Sequence, residues 1–229
     1  MDVDIIEHIS SIPLFEGLPD AQLEDLSKII DDQMVGRGEI IFSEGDEGKG
    51  FYVVISGRVK IFKVSSEGKE QILHILGPGE PFGEVPVFEG HKFPANAEAI
   101  EGGLIFFFPR KDFIGLIKNN PELALNLLAI LSRRLRRFTS LIEDLSLKEV
   151  PGRLAAYLVY RSESREGAKD LILDISKGQL ASILGTIPET LSRILGRMNN
   201  KGLIESEGPR IRILDLPGLR ALAEGEARL

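Results

Sequence analysis

The sequence contains no cysteine. Disulfides, thiolate zinc sites and cysteine-held iron–sulfur clusters are excluded, and with them a class of redox sensors. Histidine is scarce too: His8, His74 and His91 are the only three, and they show no close metal-ligand spacing. A jelly-roll metal enzyme needs a cluster such as two histidines with a carboxylate, and is disfavoured on that ground. No nucleophile–base arrangement is legible either, Glu84 alone not making one. No apolar run approaches the length of a membrane span. The acidic start, "MDVDIIEHIS", lacks the basic, apolar and small-residue order of a signal peptide. A cytoplasmic protein with neither catalysis nor a membrane partner is the expectation.

What is present is unevenly charged. The net charge is −7, but residues 1–147 carry 15 Lys+Arg against 24 Asp+Glu, and residues 148–229 carry 13 against 11. An acidic front at −9 and a back at +2 place any nucleic-acid contact in the back. At 25.3 kDa there is room for two domains.

Leu18, Leu23, Leu26, Ile29 and Ile30, with Pro19 near the start, predict a short helix over 18–31. From Glu39 to about Phe108 the texture becomes brief β-rich runs, "EIIF", "GFYVVISG", "RVKIFKV", "QILHIL" and "GLIFFFP", parted by glycine turns. Short strands with no helices between them predict a sandwich, jelly roll or barrel. After Pro121, Leu128, Leu131, Leu135, Phe138, Ile142 and Leu145 follow at alternating steps of three and four. That is the narrow seam of a helix facing another helix: it could pack on the chain's own β-domain, but its narrowness and the strongly charged opposite faces favour a partner chain. Arg133, Arg134, Arg136 and Arg137 fit solvated flanks beside it. The predicted domains are a sensing β-roll over 1–120, a dimerisation helix over 121–148, and a third unit over 149–229 that begins at the break of Pro151 and Gly152.

That third unit carries the chemistry. Leu180, Ala181, Ile183 and Leu184 give one helix a buried face, Gly185 turns the chain, and Ile187, Leu191, Ile194 and Leu195 pin a second helix that opens with Pro188. "LIESEGPRIRILDL" then closes as a hairpin turning at Gly208 and Pro209. Two helices, a tight turn and a hairpin make a winged helix-turn-helix pattern. On the second helix Glu189, Ser192 and Arg193 stand at i, i+3 and i+4, on one face near the N-terminus, where recognition helices read bases. Each has an ordinary surface reading alone, as a dipole partner or an ion pair. Ser176, Lys177, Arg210 and Arg212 are placed to meet phosphates.

The stretches "FYVVISGRVKIF", "GEPFGEVPVFEG", "LSRRLRRFTSLIEDLSLKEVPGRLAAYL" and "PETLSRILGRMNNKGLI" resemble the Crp/Fnr family of bacterial transcription regulators over nearly the whole chain. The resemblance implies an α+β architecture: a jelly-roll, cyclic-nucleotide-binding-like β-roll, a long dimerisation helix, and a C-terminal winged helix. It implies a homodimer on double-stranded palindromic DNA, with RNA polymerase and a small effector as further partners. Glu189, Ser192 and Arg193 match the Glu-x-x-Ser-Arg signature of the Fnr-like branch, implying half-sites with a TTGA-like core. Pro188 stands where cyclic-AMP-type members can carry an arginine.

The effector is harder to read. Cyclic-AMP receptors of this family hold phosphate with Gly-Glu at the start of a loop and Arg-Ser near its end. Gly83 and Glu84 keep the first half, but Phe93 and Pro94 replace the second. The adenine-contacting pair aligns with Phe138 and Thr139. Cyclic AMP is therefore disfavoured. "IEDLSLKEV" and "PETLSR" most resemble the branch answering nitric oxide and nitrosative stress (Dnr/HcpR-like), some members of which use haem. Haem is then the candidate guest, with Phe82, Phe88, Phe93 and Phe138 as walls and His74 or His91 as weak ligand candidates. The alternative is an effector-free regulator whose β-roll is only structural.

Overall fold

A computed structural model of the chain describes residues 6, 8–90, 92–165 and 167–229. The chain divides between Arg136 and Arg137 into two compact units. In the first, helix α1 (Asp20–Ser27) starts directly after Pro19, where a missing N–H costs nothing. Strands β1 (Asp31–Val35), β2 (Ile40–Phe42), β3 (Gly50–Val54), β4 (Arg58–Val64), β5 (Glu70–Leu76) and β6 (Pro81–Phe82) follow, then the short helix α2 (Val85–Glu89) and strands β7 (Asn96–Glu101) and β8 (Gly103–Pro109). They form two antiparallel four-stranded sheets, β1-β8-β3-β6 and β2-β7-β4-β5.

The apolar texture of the first sheet has a simple cause. Phe51 and Val53 of β3 pack on the helical side with Phe15, Phe108 and Phe113, while Val54 packs on the other side with Phe42, Phe82 and Ile105. A sheet covered on both faces needs apolar residues at consecutive positions. The second sheet turns one face outward. There Lys60 of β4, itself buried, donates to Glu70 at 2.6 Å and Glu98 at 3.1 Å. Burial works against its charge, and the two carboxylates outweigh it, holding the ammonium above its ordinary pKa.

Helix α3 (Arg110–Asn119) leads into the long helix α4 (Pro121–Leu147), which bridges the two units. Leu123 and Leu127 face the core of the first unit, and Leu131 packs partly against it. Of the expected seam, Leu128, Leu135 and Ile142 are exposed, whereas Leu131, Phe138 and Leu145 are half-buried. Leu125 and Leu147, which the heptad reading omits, are exposed as well.

The second unit holds α5 (Val150–Glu163), β9 (Asp170–Ile172), α6 (Lys177–Ile183), α7 (Pro188–Asn200), β10 (Ile204–Glu207), β11 (Arg210–Ile213) and α8 (Leu216–Glu224). Leu154, Leu158, Leu180, Leu191, Leu195 and Met198 meet in its core. Pro151 occupies the first turn of α5, so the break in pattern starts a helix as well as ending one. Arg153 closes the joint by donating to the Leu145 and Lys148 carbonyls at 3.3 and 2.9 Å. The hairpin β10–β11 is joined by Gly208 and Pro209, and β9 adds a third strand in the order β10-β11-β9. β9 and α8 have no counterpart in the sequence reading. The overall class is the expected one: a jelly-roll β-roll, a long helix and a winged helix-turn-helix.

Candidate nucleic-acid interface and sensor cradle

Helix α7 is held by one face. Leu191, Ile194, Leu195 and Met198 recur at helical spacing and all are buried. Ahead of it, Gly185 takes φ +63°, which lets the chain turn sharply between α6 and α7. Ile187 departs from expectation. It is 51% exposed rather than pinned in the core, because it is the extended residue preceding the helix and lies outside the helical repeat.

The opposite face carries Glu189, Ser192 and Arg193, all exposed. Arg193 donates to the Thr190 hydroxyl at 3.1 Å. None of the three fills the core, so their side chains can be spent on a partner. Glu189 lies in the first turn, where the helix dipole also favours a negative charge. Around this face, Ser176 opens α6 with a capping box: its hydroxyl accepts from the Gln179 N–H at 3.1 Å, and the Gln179 amide oxygen accepts from the Ser176 N–H at 2.8 Å. The Ser-x-x-Gln spacing was the signal for it. Lys177 is exposed beside it, and Arg210 is exposed at the tip of the wing. Arg212 is tied more closely: across the β9–β11 pairing its Nε donates to Asp170 at 2.9 Å.

In the first unit the loop after β6 brings the cradle together. Gly83 sits at φ +73°, and a Cβ there would lie 3.1 Å from ring carbons of both Phe42 and Phe93. Phe93 is buried and stacks on Phe42 with ring centroids 3.7 Å apart and planes 8° from parallel. Phe82 and Tyr52 join the stack, their rings 5.2 Å apart. Burial pushes the Tyr52 phenol above its ordinary pKa, and Asp31 adds to the shift. Phe93 thus fills the interior of the roll with its own ring.

The cradle does have a cation, and it comes from the long helix. Arg134 donates through one guanidinium nitrogen to the Glu84 carboxylate and through the other to the Pro81 carbonyl at 2.7 Å. The side chains are 14% and 8% exposed. This corrects the expectation that Arg134 lies on a solvated flank: fifty positions along the chain, Glu84 draws it inward. A charge pair this buried is costly to break, because the remaining carboxylate would be desolvated and uncompensated. Arg134→Leu is expected to lower unfolding free energy by roughly 3–5 kcal/mol, read from urea denaturation. A loss within about 0.5 kcal/mol, the range of ordinary surface changes, would contradict the pair.

A haem fits this arrangement poorly. Phe82 and Phe93 are packed on Phe42 instead of lining a slot, and Phe88 is 44% exposed on α2 and is no wall. Phe138 and Thr139 belong to the part of α4 that lies in the second unit. His74 points from β5 into the buried side, with its Nε2 3.5 Å from Glu80. His91 lies outside the described residues. Among the described residues no group of three or more histidine, aspartate or glutamate side chains could hold a metal ion, and no helix is long and apolar enough to cross a membrane.

Comparison with known proteins agrees with both halves of this geometry. The family model of the cyclic nucleotide-binding domain matches residues 33–120, and that of the Crp-like helix-turn-helix domain matches residues 152–222. The chain is 33% identical over 215 residues to the cyclic AMP receptor protein of Thermus thermophilus, spanning 94% of this chain and 98% of that one. It is 30% identical over 213 residues to the CRP-like cAMP-activated global transcriptional regulator of Mycobacterium tuberculosis, spanning 91% and 95%. A solved structure of a CRP/FNR-family transcriptional regulator from Thermus thermophilus superposes with a TM-score of 0.67 at 30% identity, covering 85% of this chain and 98% of that one. The chain belongs to the Crp/Fnr family of transcription regulators. As a Crp/Fnr regulator it has a domain of the cyclic nucleotide-binding type in the roll and a DNA-binding domain in the winged helix. These relatives are regulators and not enzymes, as the lack of a catalytic constellation suggested.

Proposed function

We propose that this Crp/Fnr regulator works as a homodimer on a palindromic operator with TTGA-like half-sites, contacting RNA polymerase from there. The observation that carries the reading is the exposed set Glu189, Ser192 and Arg193 on a helix whose other face is wholly buried. Arg193 suits the O6 and N7 acceptors of guanine, and Glu189 suits the N4 donor of cytosine. The exposed apolar row of α4 supports the second chain. A monomer in water would leave Leu128, Leu135 and Ile142 uncovered.

The roll is proposed not to take cyclic AMP, although two relatives are named for it. Phe93, stacked on Phe42, offers no charge to a phosphate, and Glu84 is already satisfied by Arg134. The nitrosative-stress branch and a haem effector rest on the similarity of "IEDLSLKEV" and "PETLSR", and the packing around Phe82 and Phe93 lends them no support. A second reading, regulation without any effector at the roll, is favoured by that same closed stack.

Selection from a randomised duplex library tests the function. The purified chain is expected to enrich inverted repeats containing guanine, with half-sites about one helical turn apart. Operator affinity is expected to stay the same with cyclic AMP or haemin added. Enrichment of no palindrome would overturn the operator reading. A rise in affinity with cyclic AMP would overturn the closed cradle.

A further inference from the structure

Gly196 is out of place in its helix. It lies in the interior of α7, four residues after Ser192 and three after Arg193, so it falls on their face one turn further along. Glycine weakens a helix relative to alanine, since it gives up the most backbone freedom and buries nothing. A fold tolerates that cost where a neighbour crowds the Cα or where φ is positive. Neither holds here: a Cβ at Gly196 would meet nothing within 4 Å, and its φ is not among the left-handed ones. The residue is exposed, and the core side of the helix is complete without it. Nothing within the chain asks for glycine.

Gly115 in α3 has the same freedom, so a glycine alone decides nothing. The place of Gly196 does. It adjoins the exposed side chains of Glu189, Ser192 and Arg193, and the partner of that face is duplex DNA. A bare Cα lets a second surface come closer to the helix axis than any side chain permits. We infer that Gly196 is the point where the recognition helix and the wall of the major groove approach most closely, sugar and phosphate closing on backbone that a Cβ would hold off. Ser192 and Arg193 then reach base edges because the helix beds deeply one turn below them. Gly196 touches no base, so its role is depth and not readout. The inference rests on the DNA-binding reading of α7.

Binding and stability should therefore move in opposite directions. Gly196→Ala and Gly196→Leu are both good helix formers in open space, so each is expected to melt at or above the wild-type temperature and to keep its oligomeric state. Affinity for the operator selected by the wild-type chain is expected to fall several-fold for Gly196→Ala and about 100-fold for Gly196→Leu, by fluorescence anisotropy. The preference for that operator over a duplex with its guanine replaced should be unchanged, since both are held off equally. Gly196→Leu binding within about threefold of wild type would overturn the inference. So would a loss confined to discrimination, which would make Gly196 part of base reading. If Gly196→Leu melts lower, Gly196→Ala decides on the same two measurements. A wild-type chain that enriches no palindrome would sink the DNA-binding reading itself, whatever the variants do.

Discussion

Leu135→Asp is expected to turn the proposed dimer into a monomer at micromolar concentration and to abolish tight operator binding. In the single chain Leu135 is 68% exposed, so the fold of either unit does not depend on it. In a dimer its side chain would be covered. Covering a leucine contributes about 1.5–3 kcal/mol, and a two-fold seam contains it twice. The substitution removes that contribution and sets a carboxylate facing apolar residues of the partner, where it is desolvated and unpaired. Together these should raise the dimer dissociation constant by roughly a thousandfold or more. A monomer then keeps one reading head instead of two, and the summed contacts of a palindrome are lost. Light scattering gives the mass, anisotropy the binding, and thermal melting the control. The melting temperature of the monomer should stay close to that of dilute wild type. Leu135→Met should keep the dimer, because it conserves volume and polarity. An unchanged mass for Leu135→Asp would place the dimer contact elsewhere.

Arg193→Ala is expected to have an effect of a different kind, on binding and not on assembly. Arg193 is exposed on α7 and its bond to Thr190 is a surface one, so its removal should leave stability within about 0.5 kcal/mol. Binding to the selected operator should weaken by roughly 1–3 kcal/mol per half-site, and the preference for guanine over other bases at one position should collapse with it. A phosphate contact would behave otherwise, weakening all duplexes alike and shrinking the salt dependence. Arg193→Lys separates charge from geometry, since a lysine keeps the charge but not the two-pronged fit to O6 and N7. Undiminished discrimination by Arg193→Ala would assign the reading to another residue.

The sequence by itself determined whatever depends on neighbours along the chain. The buried stripe of α7, the turn at Gly185, the hairpin at Gly208 and Pro209, and the strands β2, β3, β4, β5 and β8 follow from spacing, since periodicity is a local property. The start of α7 at Pro188 was legible for the same reason, whereas the helix expected over 18–31 covers only Asp20–Ser27, and Pro151, read as a break, lies in the first turn of α5. β7 was not, because "NAEAIE" is poor in β-branched residues and becomes a strand only between β2 and β4. Likewise β9 exists because β11 offers it an edge.

Tertiary structure decided the state of the cradle. Glu84 meets Arg134 across 50 positions, and Phe93 meets Phe42 from a segment far along the chain. Neither pairing leaves a mark in the local pattern. On a helical wheel Arg134 is one of four arginines beside an apolar seam, and only the fold turns it toward a buried carboxylate. Phe93 and Pro94 in the loop could not reveal that a ring would fill the interior and that a helix would bring a cation to Glu84. Both outcomes follow from the same physics: a closed roll must fill its interior, and a buried carboxylate must find a cation.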